Sequence, residues 1–316
     1  MKLLVTGIAG FIGSHLAERL LDRGDTVVGL DSFDPFYARS IKERNLARVR
    51  GRAHVVEADL LDEAAVAEIL SATDFDVVVH LAGLAGVRPS LAAPARYQRV
   101  NVEGTTRLAE LARARGVRRF VFASSSSVYG ASKRLPFAED DRADEPMSPY
   151  AASKRAAELV LRALVHTQGI GVTSLRYFTV YGPRQRPEMA IHAFCRAIDR
   201  GETIELYGTG EASRDYTYVD DVIDGTLRAI DRVGEGYRVY NLGAGGTPTT
   251  LHEVVDLLAE ALGKPARVHR GPAVVGDVEH TIADIRAARD ALGYEPKTAI
   301  REGIRKFVAW YLNPPT

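Results

Sequence analysis

Tyr150 and Lys154 stand four residues apart in the run Tyr150-Ala-Ala-Ser-Lys154, and Ser125 lies upstream of them. On a helix this spacing puts phenol and ammonium on one face, where the positive charge stabilises a phenolate. A phenolate is a base. An ordinary tyrosine ionises near pH ~10, so proton abstraction near neutrality requires a fall of about three pKa units, worth about 4 kcal/mol. Lys154 and a cationic nicotinamide ring together bring charge of the required sign. The reaction that suits such a set is hydride transfer from a carbinol carbon whose hydroxyl proton goes to the tyrosine.

A second constellation meets the needs of a dinucleotide. Gly7-Ile-Ala-Gly10-Phe11-Ile12-Gly13 opens the chain directly after a short apolar run. Its three glycines permit a tight turn, close approach of backbone to a pyrophosphate, and packing of the next helix on a sheet. Asp31 ends the second apolar run, where a carboxylate accepts hydrogen bonds from both ribose hydroxyls of NAD and repels the 2′-phosphate of NADP. Arg39 lies close enough in sequence to fold back beside it. Asp59-Leu60 suits the adenine amino group, although Asp59 equally suits a helix cap before Asp62-Glu63. Ala82-Gly83 leaves room for the cofactor.

These residues need a scaffold, and the periodicity supplies one. Lys2 to Thr6, Thr26 to Leu30, His54 to Glu57, Val77 to His80, Arg119 to Ala123 and Val172 to Phe178 read as buried strands. Helical patterns cover Phe11 to Arg23, Glu63 to Leu70 and Arg96 to Arg115, and Ser148-Pro149 caps and opens the helix that carries Tyr150 and Lys154. Such alternation predicts a doubly wound parallel α/β sheet. After Gly182-Pro183 the elements become shorter: strands at Thr203 to Tyr207 and Arg238 to Leu242, helices at Leu251 to Leu262 and Ile300 to Tyr311. The expected division is a nucleotide-binding domain over 1–176 and a mainly substrate-binding region over 177–316, with segments near 215–245 returning to the sheet.

Composition narrows the class of partner. The 316 residues carry 41 Lys+Arg against 41 Asp+Glu, so no net field draws nucleic acid or an anionic membrane. The single cysteine, Cys195, permits no internal disulfide and reads as a packed helix position. Met1-Lys2 runs directly into a strand without a signal-peptide core, and no apolar run has membrane-spanning length, so a cytoplasmic enzyme is expected. No metal cluster is expected.

The whole chain resembles an extended short-chain dehydrogenase/reductase of the sugar-nucleotide epimerase/dehydratase type. The resemblance is carried, in family order, by the glycine run, Asp31, Asp59-Leu60, His80-Leu-Ala82, Asn101-Val-Glu-Gly104-Thr105 and Ser124-Ser-Ser-Ser-Val-Tyr-Gly130. It continues through Tyr150-x-x-x-Lys154, Arg176-Tyr-Phe-Thr-Val-Tyr-Gly-Pro183 and Arg214-Asp-Tyr-Thr-Tyr-Val-Asp220. It implies a Rossmann-type fold that binds NAD through Gly7, Gly10, Phe11, Ile12, Gly13, Asp31, Asp59, Leu60, Ala82, Asn101, Tyr150 and Lys154. It also implies a catalytic Ser125, Tyr150 and Lys154, and a homodimer built on the helix near Arg96 to Arg115 and the helix that starts at Tyr150.

Three positions discriminate among the family's reactions. Dehydratases of the family place Asp-Glu where this chain has Ser126-Ser127, and decarboxylases that act on UDP-glucuronate keep a glutamate at the second of these places. Redox epimerisation at C4 remains. Thr179, followed by Gly182-Pro-Arg184-Gln-Arg186-Pro, resembles UDP-glucuronate 4-epimerases, whereas UDP-galactose epimerases usually carry asparagine at the first of these positions. A C5 carboxylate needs hydroxyl donors and a guanidinium, and Ser126, Ser127, Thr179 and Arg186 form such a set; Arg88, in Gly86-Val-Arg88-Pro-Ser90, is a further candidate. For Arg184 and Arg186 the alternatives are a solvated loop or a phosphate contact, and for Ser127 a turn cap. By the same resemblance Arg214 serves the UDP pyrophosphate, Tyr207 packs near the uracil, and Asp277 belongs to a nucleotide-contact motif whose usual Arg-Pro is replaced by Val274-Val275. The expected activity is conversion of UDP-glucuronate to UDP-galacturonate. UDP-glucose 4-epimerisation is the alternative, ahead of decarboxylation, dehydration, or non-catalytic NAD sensing.

Overall fold

A computed structural model describes residues 1–207, 212–271 and 278–314. In chain order its elements begin β1 (Lys2–Thr6), α1 (Phe11–Asp22), β2 (Thr26–Asp31), α2 (Arg39–Asn45), β3 (His54–Glu57), α3 (Glu63–Ser71), β4 (Val77–His80), α4 (Val87–Ala92) and α5 (Pro94–Gln98). After a π-turn (Arg99–Glu103) come α6 (Gly104–Ala114), β5 (Arg119–Ser125), α7 (Pro149–Gln168), β6 (Gly171–Tyr177), β7 (Thr179–Tyr181), α8 (Ala190–Arg200), β8 (Thr203–Tyr207), β9 (Ser213–Arg214) and β10 (Tyr216–Tyr218). The chain closes with α9 (Val219–Arg232), β11 (Tyr237–Leu242), β12 (Thr249–Thr250), α10 (Leu251–Leu262), β13 (Arg267–Gly271), α11 (Arg286–Leu292) and α12 (Ile300–Leu312).

Seven parallel strands form the central sheet in the order β11-β6-β5-β4-β1-β2-β3. The order reverses between β1 and β4, which opens a crevice beyond their carboxyl ends, where ligands of open α/β sheets bind. The strands are apolar because helices cover both faces: Leu3, Val5, Val77, Val79 and Val121 belong to one cluster with α1 and the carboxyl-terminal elements, and Leu4, Val78, Phe120 and Phe122 to the other, with α3, α6 and α7. β11 pairs in parallel with β6 from Tyr237↔Val172 to Leu242↔Tyr177, so the chain re-enters the main sheet after α9. The remaining short strands pair two by two, β10 with β7, β12 with β9 and β13 with β8.

The helix expected from Arg96 to Arg115 is interrupted. α5 leads into the π-turn before α6 begins, and the extra residue per turn points Asn101 inward. α7 runs as its sequence predicts: Ser148 accepts the Ala151 amide at 3.1 Å, Pro149 occupies the first turn, and Gly169 ends the helix in the left-handed conformation. Its buried face carries Ala151, Lys154, Ala157, Glu158 and Leu161, a helical stripe in which two charges replace hydrocarbon.

Candidate active site

The crevice is a cavity of about 820 Å³. Its nucleotide end is walled by Gly7, Gly10, Phe11, Ile12, Gly13, Asp31, Asp59 and Leu60, Ala82 packs beside Gly7, and its far end is walled by Ser125, Ser126, Ser127, Tyr150, Lys154, Thr179 and Arg186. Residues from seven separate stretches of the sequence thus share one space.

At the nucleotide end the glycines act through steric necessity. Gly7 has φ +72°, and a Cβ on it would lie 2.8 Å from the Ala82 amide nitrogen. A Cβ on Gly13 would lie 2.1 Å from the Gly7 carbonyl, so the helix could not approach the first turn. α1 starts here without a side-chain cap, which leaves the amides of its first turn to serve an anion such as a pyrophosphate. Asp31 is held in place by the amides of Ala9 (3.0 Å) and Phe33 (2.8 Å). A carboxylate has about four acceptor sites, and with these two amides and Lys42 on it, capacity remains for a ribose hydroxyl. The cradle fits NAD.

Two details at this end differ from the sequence reading. Arg39 does not fold back onto Asp31; it is bonded to Glu57 through both terminal nitrogens and lies over the Phe33 ring at 4.4 Å. Its place beside Asp31 is taken by Lys42, buried at 3.3 Å. No pattern in the sequence marks Lys42, because only the fold of the β2–α2 loop brings it back. Asp59 lines the cavity and also accepts the Leu61 amide at 2.9 Å, whereas the cap of α3 is Asp62.

At the catalytic end, Lys154 donates to the Ala123 carbonyl at 2.8 Å, so the ammonium is anchored on β5. Burial pushes its pKa down to about 8, a fall that the nearby Glu158 charge opposes. Burial also raises the Tyr150 phenol above its ordinary value, against the hydrogen bond of Ser125 and the charge of Arg186. The protein groups alone therefore do not create a phenolate, and a cationic ring bound alongside has to complete the shift. Ser125 accepts the Ser127 amide and donates to the Ser127 hydroxyl, each at 3.1 Å, so Ser125 is the residue that caps this turn and Ser127 is its partner.

Behind these groups stands support that no motif announced. Glu158 is completely buried and takes both Arg176 Nε (2.9 Å) and Nη2 (2.8 Å), the Ser124 hydroxyl (2.6 Å) and Arg155 (3.0 Å). Burial works against its ionisation, but Arg176 holds the carboxyl below its ordinary pKa. Glu158 is one helical turn beyond Lys154, a spacing visible in the sequence, but its partners on β5 and β6 are not.

His80 is buried between Thr6 and Thr105. The Thr6 hydroxyl accepts the Ala82 amide and lies 2.7 Å from His80 Nδ1, to which it donates once the other ring nitrogen carries the ring's hydrogen. The Thr105 hydroxyl donates to the Asn101 carbonyl, so His80 Nε2–H must donate to Thr105 (2.9 Å). Burial and the Lys154 charge hold the imidazole neutral, with its pKa lowered to about 3.

Several expected contacts lie elsewhere. Asn101 is buried behind the wall, where its amide bonds Leu84 and Ser153 and so shapes the loop that lines the cavity. Arg88 is exposed at the start of α4 and is not among the lining residues, although Gly86 and Val87 just before it are. Arg214 also lies off the lining, with its guanidinium on the carbonyls of Ser213 and Glu279. Arg184, at φ 65°, turns to α1 and bonds Glu18 at 2.5 Å, leaving Arg186 as the arginine of this loop that faces the cavity. The Tyr207 side chain and Asp277 fall outside the described residues. Among the described residues no group of three or more His, Cys, Asp or Glu could hold a metal, and no helix is long and apolar enough to cross a membrane.

A glycine turn at a β-strand end, a ribose carboxylate and a Ser/Tyr/Lys set around one crevice define a dinucleotide-dependent enzyme of the short-chain dehydrogenase/reductase class. Residues 3–243 match the NAD dependent epimerase/dehydratase family, and the chain belongs to it. It is 40% identical over 332 aligned positions to a probable UDP-glucuronate 4-epimerase of Rhizobium meliloti, covering 98% of this chain and 97% of that one. The UDP-glucuronic acid 4-epimerase of Bacillus cereus, solved with UDP-glucuronic acid and NAD, superposes with a TM-score of 0.91 at 34% identity and 98% coverage of both chains. A dTDP-glucose 4,6-dehydratase of Streptomyces venezuelae, solved with NAD, superposes as well, with a TM-score of 0.92 at 34% identity over 99% of this chain and 98% of that one. Backbone shape therefore does not choose the reaction.

Proposed function

We propose that this protein is a UDP-glucuronate 4-epimerase, interconverting UDP-glucuronate and UDP-galacturonate with NAD as a resident cofactor. One observation carries the choice. Of the carboxylates among the lining residues, Asp31 and Asp59 belong to the nucleotide side and Asp34 is tied up in a salt bridge with Arg96, whereas the turn after Ser125 and the wall facing it are lined by Ser126, Ser127, Thr179 and Arg186. Elimination of water or assisted decarboxylation asks for an acid there, whereas a uronate carboxylate asks for hydroxyl donors and a guanidinium.

NAD supplies a reversible hydride acceptor. Tyr150 takes the proton of the sugar 4-hydroxyl, assisted by Ser125, and returns it after the 4-keto sugar has turned its other face. Lys154 holds positive charge beside the phenol. Ser126, Ser127, Thr179 and Arg186 hold the carboxylate out of alignment with the ketone, because a β-keto acid whose carboxylate is poorly solvated and aligned with the carbonyl loses CO₂. Purified protein incubated separately with UDP-glucuronate and UDP-glucose, with C4 epimers resolved by NMR, tests the reading. Faster turnover of UDP-glucose would overturn the uronate assignment. Thr179→Val and Arg186→His should lower epimerisation of UDP-glucuronate and raise the share of UDP-pentose or 4-keto-pentose, with NAD content unchanged.

We also infer a homodimer through α7 and the neighbouring run from α5 to α6, supported by Leu159, which is 50% exposed on α7. Sedimentation at micromolar concentration should give twice the chain mass; a monomer removes this part alone. A cytoplasmic setting, where NAD and nucleotide-activated sugars are both available, completes the reading.

A further inference from the structure

The loop after β2 crosses the cavity mouth from the nucleotide side and reaches the arginine at the sugar end. Phe33 takes up left-handed backbone with φ 50°, and Asp34 folds the chain over by accepting the Phe36 amide at 3.0 Å. Asp34 also forms a salt bridge with Arg96 of α5. Asp34, Phe36 and Tyr37 consequently line the same space as Arg186. The Arg186 guanidinium lies over the Phe36 ring, 5.4 Å from its centroid, and its Nε pairs with Glu188 at 3.2 Å. Tyr37, between them, feels the charges of both Asp31 and Arg186.

An arginine has four stem torsions, and fixing them on binding costs up to about 2 kcal/mol of rotamer freedom. A carboxylate is gripped best by a guanidinium whose plane is already set. A ring–cation contact at 5.4 Å uses no N–H donor, so Phe36 restrains the head group of Arg186 while leaving its hydrogen-bonding groups available. Glu188 pairs with the guanidinium from the Nε side, and among the described residues no hydrogen bond engages its terminal nitrogens.

We propose that Phe36 sets the sugar specificity of this enzyme by holding Arg186 in the orientation that receives the substrate carboxylate, with the Asp34–Arg96 bridge fixing the loop that carries the ring. Phe36 is a positioning residue that acts through Arg186. The proposal rests on the reading of Arg186 as the carboxylate ligand.

The test compares dissociation constants of UDP-glucuronate and UDP-glucose by calorimetry, on NAD-loaded protein carrying Tyr150→Phe so that turnover does not intervene. The quantity of interest is the preference for the uronate over the neutral sugar. Phe36→Ala should lower that preference about two- to fivefold, the range that a guanidinium–ring contact of this kind supplies. UDP-glucose affinity and bound NAD should stay unchanged, and Phe36→Tyr should restore the preference. If Phe36→Ala does not fold, Phe36→Leu, which keeps bulk without the ring face, and Asp34→Asn, which releases the loop, carry the same expectation. Arg186→Ala separates the two layers of the argument. If it abolishes the preference while the Phe36 and Asp34 variants leave it intact, the positioning role is wrong and the carboxylate reading stands. If Arg186→Ala leaves the preference unchanged, both fall.

Discussion

At the residue scale the chemistry turns on two groups whose surroundings push them away from the states they need. Burial raises Tyr150 and lowers Lys154 to about 8. The ammonium carries its charge below about pH 8 and loses it above, so epimerisation should decline as the pH rises through this value, and a cationic cofactor alongside moves the decline lower. An initial-rate profile that still climbs at pH 9 would contradict this role of Lys154. Tyr150→Phe should cost roughly 10²–10⁴ in turnover, the range for loss of a positioned proton-transfer group, while NAD content and thermal midpoint hold. Lys154→Met should lower NAD occupancy more than Tyr150→Phe does if, on the proposed reading, the lysine also holds the nicotinamide ribose. His80 is a different kind of residue. Its two threonine partners leave it a single tautomer, and nitrogen NMR should find a neutral ring protonated at Nε2 from pH 8 down to pH 5.

At the scale of elements, α7 must place Tyr150 against Ser125 at the end of β5 in the central sheet, while Thr179 comes from β7 in a separate two-stranded pair with β10. The buried Glu158 bridges α7, β5 and β6 at once, through Ser124 and Arg176. Removing one partner of such a pair strands the other charge without water, which costs about 3–5 kcal/mol. Glu158→Gln should therefore lower stability by roughly that amount in urea denaturation, and the double variant Glu158→Gln/Arg176→Met should recover part of it. A loss in the double variant equal to the sum of the single losses would mean that the two side chains do not act as a pair. The π-turn is the second device of this scale. It turns Asn101 toward Leu84 and Ser153, so the loop over the cofactor and the helix of the catalytic lysine share one amide.

At the scale of the molecule, the buried histidines make folding sensitive to acid. His15, buried on α1 and near Arg184, has its pKa lowered to about 3, like His80. Below about pH 6.5 the unfolded chain binds these protons and the folded chain does not until near pH 3. Stability is thus retained above the unfolded value and lost as the pH falls, by up to about 1.4 kcal/mol per pH unit for each histidine. His15→Phe, which keeps a ring against Phe11, should reduce the slope of unfolding free energy between pH 6 and pH 4.5 by about one proton. An unchanged slope would place the acid sensitivity in other groups. The same scale unites the two regions: Arg184 ties the loop after β7 to α1, and β11 returns the chain to the central sheet beside β6.

The alternating sheet, the glycine turn, Asp31 at the end of β2, the Tyr150/Lys154 pair and the absence of acids after Ser125 were legible in the sequence, because each depends on spacing within one strand, turn or helix, whereas Ser125 entered through the family resemblance. Local geometry is enough there: a residue four places on is always one helical turn away. The tertiary structure decided what spacing does not encode. It chose Lys42 rather than Arg39 as the companion of Asp31, sent Arg184 to α1 and Arg186 to the cavity, moved Asn101 from the cofactor to the wall behind it, and brought Arg176 to Glu158 and Phe36 to Arg186. Long cationic side chains reach several ångströms in many directions, and which carboxylate, ring or ligand they meet depends on how loops distant in sequence return over the same crevice.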